Sequence, residues 1–592
     1  MPSHSQIPIT ANAAKVLERR YLLRDDHGRV VETPAEMFRR VARAIASAES
    51  RYGGAASAWE ERFYAAMASL EFLPNSPTLM NAGTPIGQLS ACFVIPVLDS
   101  MVSIFEAVKN MAVIHQSGGG TGFDFSRLRP NGDIVGATHG TASGPVSFMR
   151  VFDTATDVIK QGGRRRGANM GILRIDHPDI EAFISAKTGI AALSNFNISV
   201  AVTDAFMDAL ARGGDYALVS PRTGKEVKRL SARLVFDRIA ESAWAGGDPG
   251  LVFIDEVNRA NPNPALGDMT STNPCGELPL LPYESCNLGS INVAKFARDG
   301  ALDWPRLGET VHLAVRFLDD VIDANRYPLP QTADITRANR KIGLGVMGFA
   351  DALAALGLPY DSEEGIAFGE RLMGFIQEHA WETSTALARE RGAFPNFERS
   401  LRDRPGAAKV RNATVTSIAP TGTISIIAGC SSGIEPLFAI TYIRSVMDGT
   451  QLLETNAEFE RLAKRRGFHS PALMEKIAKS GVVRGLAEVP QDVRRIFATD
   501  FDIAPEWHAR MQAAFQRHCD NAVSKTINLP QNATVDDVAK AFRLAHTLKC
   551  KGITVFRYGS KGEQVLYRGS DGGIHASPEY AGGCPDPAVC NF

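Results

Sequence analysis

Cysteine is scarce in this chain, eight among 592 residues, which excludes the disulfide-stapled scaffolds of small secreted domains. An excess of one charge is also missing. Lys plus Arg (64) balance Asp plus Glu (65), for a formal net charge of -1, so no basic field points to nucleic acid or an anionic membrane surface. No apolar run approaches the roughly 18–20 residues of a membrane span. The opening Met-Pro-Ser-His-Ser-Gln lacks the charged and apolar regions of a signal peptide. What remains is a large globular protein, 44% hydrophobic, with one big core or two or three domains, expected in reducing cytoplasm. In that setting a cysteine in a motif-like context suggests redox work or a metal.

Residues 1–70 read as a helical region. Thr33-Pro34-Ala35-Glu36 forms a capping box with proline at the first helical position, and Met37, Phe38, Val41, Ala42 and Ile45 then share one face. From 71 the texture changes to short apolar runs broken by Gly, Pro and Ser, and a catalytic body is expected over 71–560. Cys92 heads a short strand in 90–96, where a small buried hydrophobe is its plainest reading. A glycine run, Ser117-Gly118-Gly119-Gly120-Thr121-Gly122, precedes an amphipathic helix over 145–160 with Val146, Met149, Phe152 and Val158 as apolar contacts. Arg164, Arg165 and Arg166 follow in a glycine-rich stretch, either a solvated turn or a phosphate contact. Gly343-Leu344-Gly345-Val346-Met347-Gly348 fits the dinucleotide fingerprint, but a polar, basic segment precedes it where a strand is needed, so close helix packing is expected instead. A strand over 413–418 runs into Ala419-Pro420-Thr421-Gly422-Thr423-Ile424, a turn with hydroxyls before a helix, which suits an anion. Strand 523–529, a helix capped by Thr534 and Asp537, and strand 553–558 spell a right-handed crossover with parallel pairing. The tail, 561–592, is polar and glycine-rich and ends with Cys584 and Cys590, half a zinc site at most and better suited to a mobile dithiol.

The most informative stretch is 273–292, N-P-C-G-E-L-P-L-L-P-Y-E-S-C-N-L-G-S-I-N. Pro274, Gly276, Pro279 and Pro282 forbid a helix or a central strand in its first part, so a loop is expected there. Leu278, Leu280 and Leu281 give that loop an apolar body, which tucks it into protein. Asn273, Cys275 and Glu277 alternate along it, and Cys286 precedes a strand-like run at 290–293. A buried carboxylate beside a thiol is costly without a task, so the chemistry is placed here.

With Asn-Pro-Cys-Gly-Glu (273–277), Ser-Cys-Asn-Leu-Gly-Ser-Ile-Asn (285–292), Ala-Pro-Thr-Gly-Thr-Ile (419–424) and Ser-Gly-Gly-Gly-Thr-Gly-Phe (117–123) all present in order, the chain resembles the large catalytic subunit of ribonucleotide reductases, from about residue 15 onward. The resemblance is closest to the adenosylcobalamin-dependent class II enzymes. It implies a ten-stranded α/β barrel of two parallel five-stranded halves, with the central loop threaded through as a finger. By that likeness Cys275 becomes a thiyl radical that removes the 3′ hydrogen of the ribose, Glu277 accepts the 3′-OH proton and Asn273 orients the sugar. Cys92 and Cys286 supply two electrons by closing a disulfide, and Cys584 and Cys590 re-reduce them, themselves served by thioredoxin or glutaredoxin. The substrate, a ribonucleoside diphosphate, lies against Ser76, Ala91, Cys92, Gly120, Pro274, Gly276 and Pro420, Thr421, Gly422, Thr423 and Ile424. Asp99 holds the sugar of a deoxynucleotide effector, the Arg164–Arg166 stretch relays its identity, and helix 145–160 forms a homodimer contact.

The wording also separates the classes. Class I relatives carry a tyrosine pair where this chain reads Phe556-Arg557-Tyr558, and class III relatives a glycyl-radical motif where this tail holds cysteines. Adenosylcobalamin is therefore the expected cofactor, without the Asp-x-His-x-x-Gly motif that some cobalamin enzymes use. No metal-ligand spacing is found. The helical start leaves no room for an ATP-cone, so on/off control by ATP and dATP is expected to be missing. A class I subunit awaiting a radical-generating partner, and an idle nucleotide-binding regulator, are the competing readings.

Overall fold

The computed structural model describes residues 7–135, 140–159, 167–188, 193–445 and 451–560, together with the backbone of two strands, Leu566–Arg568 and Ile574–Ala576. Arg164, Arg165, Arg166, Cys584 and Cys590 lie outside the described residues. No helix among the described residues is long and apolar enough to cross a membrane.

Nine strands build the barrel wall: β1 (Cys92–Val94), β2 (Gly120–Asp124), β3 (Asn169–Arg174), β4 (Phe196–Val202), β5 (Gly250–Phe253), β6 (Ser285–Asn292), β7 (Ile342–Met347), β8 (Thr526–Leu529) and β9 (Gly552–Arg557). The short strand Phe72–Pro74 lies antiparallel on β6 and brings the hydrogen-bonded sheet to ten strands. Strands β1 to β5 pair parallel in sequence order, forming one half. In the second half β6 pairs parallel with β7, and β8 with β9. Segment 413–418 closes the gap between those two pairs. It is a bridging segment rather than the continuous strand expected, held by parallel bridges Leu344↔Thr416 and Ile418↔Val523. The two halves meet antiparallel at both ends, β1 against β6 and β5 against β9. The expected barrel of two parallel halves is what forms.

The near-continuous apolar runs suit this arrangement, since a barrel strand is covered by core on one side and helices on the other. Phe123, Phe125, Phe152 and Phe196 fill one half's core, and Leu318, Ile342, Leu344, Val346, Phe349 and Phe515 the other's. Gly343 and Gly345 lie on β7, not in a helix contact: a Cβ on Gly345 would meet the Ser417 carbonyl oxygen at 2.2 Å. The close packing inferred from those glycines is therefore strand against strand. Strand β6 also starts earlier than expected, at Ser285, which puts Cys286 inside it.

The N-terminal helices are α1 (Ala11–Arg20), α2 (Pro34–Ala46) and α3 (Ala56–Ala68). The Thr33–Glu36 capping box is made, and the five apolar residues assigned to the α2 face are all buried. An ion-pair network ties this region to the barrel. Glu49, fully buried, accepts from Arg316 and Arg391, while Arg391 also reaches Asp319 and Asp320, and Arg340 bridges Asp319 and Asp323. Helix Pro145–Val158 forms as expected, but Val158 is 75% exposed and is not a core contact, because the helix ends there facing away from the barrel.

Candidate active site

The stretch from 271 to 280 folds into a hairpin, with Ser271–Thr272 antiparallel to Pro279–Leu280. Two residues of strand thus form inside the expected loop. The turn is tied by Asn273, whose Oδ1 accepts from Leu278 N (3.0 Å) and whose carbonyl accepts from Gly276 N (3.0 Å). Gly276 takes a φ of +82°, which favours glycine. The finger passes so close to β2 that a Cβ on Gly122 would sit 1.7 Å from the Thr272 carbonyl oxygen. That contact gives the 117–123 glycine run a mechanical reason.

At the tip Cys275 is half-buried, while Asn273 and Glu277 on either side are 1% and 2% exposed. The Glu277 backbone is pinned to the second half of the barrel, its carbonyl accepting from Ser417 Oγ (3.0 Å) and Ala522 N (2.9 Å). Asn273 reaches the other way and donates from Nδ2 to the Cys92 sulfur (3.1 Å). Cys92 in turn stands directly opposite Cys286 in the antiparallel register of β1 and β6. Facing residues of such a ladder have Cα atoms about 4.5–5.5 Å apart, within the span a disulfide bridges.

Burial, and after it the Glu284 carboxylate, push the Cys286 thiol far above its ordinary pKa. Cys286 is therefore a protonated thiol at neutral pH, able to give a hydrogen but a poor nucleophile. Its S–H makes only weak hydrogen bonds, to the carbonyls of Asn287 (3.3 Å) and Lys341 (3.5 Å). Glu284 itself is matched by Lys341 at 2.7 Å in a fully buried pair, and Asn339 donates to its second oxygen (2.6 Å).

One cavity of about 240 Å³ gathers the catalytic and substrate-contact residues singled out in the sequence, Cys286 excepted. Ser76, Ala91, Cys92 and Gly120 line it from the first half, Asn273, Pro274, Cys275, Gly276 and Glu277 from the finger, and Pro420, Thr421, Gly422, Thr423 and Ile424 from the second. Thr421 is left-handed (φ +55°) at the start of helix Gly422–Ala428, and its Oγ1 accepts from Gly433 N (2.7 Å). Cys286 is not in the lining and sits behind Cys92. Asp99 lies elsewhere, just before helix Met101–Gln116, with its carboxylate held by Arg129 Nε (2.8 Å) and Arg129 N (3.2 Å).

Two lining features escaped the sequence reading. Arg20, at the end of α1, enters the same cavity, and Tyr21 beside it shares a 2.8 Å hydrogen bond with Ser76 Oγ. Helix α1 reaches the cavity because it packs on helix Gly422–Ala428, a tertiary contact that no local pattern encodes. Lys525 also lines the cavity, its ammonium spent on Glu435, His508 Nδ1 (2.9 Å) and the Thr526 carbonyl. Much of the remaining wall is apolar, with Ile198, Leu251, Val252, Ile553 and Val555, and it also carries Asn197, Asp248, Gln512 and the hydroxyls of Ser199 and Thr554.

Known proteins share this construction. The profile of the ribonucleotide reductase all-alpha domain matches residues 9–87, and that of the ribonucleotide reductase barrel domain matches residues 90–556. The vitamin B12-dependent ribonucleoside-diphosphate reductase of Mycobacterium tuberculosis is 54% identical, aligned over 99% of this chain and 85% of its own length. The Thermoplasma acidophilum protein of the same name is 51% identical over 95% of this chain and 81% of its own. In fold, the alpha subunit of the Actinobacillus ureae class Id ribonucleotide reductase superposes with a TM-score of 0.78, covering 93% of this chain and 97% of that one at 24% identity. By both its helical N-terminal part and its barrel, the chain belongs to the ribonucleotide reductase family.

Proposed function

We propose that this chain reduces ribonucleoside diphosphates to 2′-deoxyribonucleoside diphosphates with adenosylcobalamin as cofactor. The observation that carries the reading is the convergence of Cys275, Asn273, Glu277 and Cys92 on one cavity, with Cys286 opposite Cys92. Cys275 as a thiyl radical takes the 3′ hydrogen, forming S–H as C3′–H breaks. Glu277 accepts the 3′-OH proton, and Asn273 orients the sugar from a position fixed by its bonds to Leu278 and Cys92. The 2′-OH leaves as water with one proton from the Cys92–Cys286 pair, and C2′ takes the pair's other hydrogen. The pair, having given two protons and two electrons in all, closes to a disulfide. Cys275 then returns its hydrogen to C3′, which restores the thiyl radical, and Glu277 returns its proton to the 3′ oxygen. Their burial keeps both thiols from side reactions.

The apolar wall of β4, β5 and β9 beside Cys275 fits an adenosyl group, offering flat apolar contact with Ser199 and Thr554 hydroxyls for a sugar. Bound there, adenosylcobalamin supplies the one-electron oxidation that makes the thiyl radical. Ser76 and 420–424 take the diphosphate, with Arg20 as a cation on the same side. Cys584 and Cys590 re-reduce the pair and are reduced by thioredoxin or glutaredoxin in the cytoplasm. Asp99 and Arg164–Arg166 serve a deoxynucleotide effector. A homodimer formed through helices Met101–Gln116 and Pro145–Val158 accounts for the exposure of Val102 (79%), Phe105 (49%) and Val158 (75%).

The test is CDP reduction by purified protein with dithiothreitol and effector, with and without adenosylcobalamin. Turnover only with the cofactor, lost in Cys275→Ala, is the expected result. Turnover that instead required a metal-containing partner subunit would move the chain to class I, and nucleotide binding without turnover would favour a regulator.

A further inference from the structure

We propose that His312, His379 and Glu382 form a binding site for a divalent first-row transition cation of the zinc type, linking two helices on the outside of the barrel. His312 lies on helix Trp304–Ala324, and His379 and Glu382 are one turn apart on helix Glu363–Arg391. One donor atom from each lies within 4.8 Å of the other two. None of the three lines the catalytic cavity, so the site is separate from the radical chemistry.

The hydrogen bonds around the rings prepare them as ligands. Thr383 Oγ1 gives its proton to the His379 carbonyl (2.8 Å), so it can only accept from His312 Nδ1, 2.7 Å away. That fixes the proton of His312 on Nδ1 and leaves the lone pair on Nε2. A ligating imidazole oriented through its other nitrogen is the usual arrangement at protein metal sites. His379 Nδ1 and Glu382 Oε2 share a hydrogen bond of 2.8 Å. Two ligands on a tetrahedral zinc at 2.0–2.2 Å stand about 3.3 Å apart. A cation can therefore replace the shared proton, which leaves to solvent, and bind both atoms with small movements. His312 Nε2 completes three protein ligands, with water in the fourth position. The two rings meet edge to face at 5.2 Å, and His312 also feels the charge of Glu309 and Glu382. Two imidazoles and a carboxylate suit zinc better than magnesium or calcium, which prefer oxygen.

The test is zinc stoichiometry of the full-length protein, measured by competition with a chromophoric chelator, for wild type, His379→Gln and Thr383→Val. The chain's cysteines are common to all three, so the difference reports this site. One zinc fewer per chain is expected in His379→Gln, and zinc affinity about 10–100-fold weaker in Thr383→Val, the scale of an orienting partner's loss. Equal stoichiometry in wild type and His379→Gln overturns the proposal. A zinc-edge anomalous map of wild-type crystals equilibrated with zinc gives a readout free of any folding defect. A peak between His312 and His379 is expected, and its absence overturns the site.

Discussion

The two barrel halves meet at two seams, built alike and used differently. At the first, β1 against β6, Cys92 faces Cys286. At the second, β5 against β9, Leu251 faces Ile553 and Val252 faces Gly552. Cys92, Cys286, Leu251, Val252 and Ile553 are buried, and residues of both seams line the same cavity. An antiparallel meeting of two parallel halves forces residues far apart in sequence into opposite positions. What the seam does then depends on the atoms placed there. Two facing sulfurs can close to a disulfide and so hold two electrons, and two facing hydrocarbon side chains can only pack.

The largest expected effect comes from breaking the sulfur seam. Cys92→Ser or Cys286→Ser should lower steady-state reduction on the order of 10³-fold or more, as for members of catalytic sets that act as a unit, while circular dichroism stays that of the wild type. Breaking the hydrocarbon seam should act on stability instead. Leu251 is 1% exposed, and Leu251→Ala should cost about 2–5 kcal/mol in urea unfolding with sulfur chemistry intact. A Leu251→Ala chain with wild-type stability would erase the contrast between the seams. Between the seams, Arg20→Met should raise KM for CDP about tenfold or more, the loss of a charge-assisted contact to phosphate, with a smaller change in kcat. An unchanged KM would remove Arg20 from the phosphate side. The smallest effect sharpens the sulfur seam alone. Because burial raises the pKa of Cys286, its alkylation by iodoacetamide, followed by peptide mass spectrometry, should be far slower than that of an ordinary thiol at both pH 7 and pH 9 and should still be climbing at pH 9. An ordinary thiol with a pKa of about 8.5 is mostly thiolate by pH 9, so its rate levels off there.

Much of this was legible in the sequence where the cause is local. Capping boxes at Thr33 and Thr534 are made as written, and prolines with Gly276 dictated a turn at the finger. The five positions proposed for catalysis rest on motif wording and resemblance, not periodicity. Long-range relations were not legible. Nothing near Cys92 says that β6 will lie beside it, so in isolation it reads as a small core residue, which at 5% exposed it also is. Segment 413–418 reads as a strand by composition, yet its neighbours allow it only bridges. Val158 fits an apolar stripe but falls at a helix end turned outward. Arg20 sits in a region that showed no function by itself, and its place in the cavity depends on where α1 docks.

The most direct test of the sulfur seam is a single turnover without external reductant. Fully reduced Cys584→Ser/Cys590→Ser protein, which cannot pass oxidation to its tail, is mixed with CDP, effector and adenosylcobalamin and then mapped by mass spectrometry. The account requires a Cys92–Cys286 disulfide in amount equal to the dCDP formed. Product with that pair still reduced, or with the oxidation on other cysteines, would contradict it.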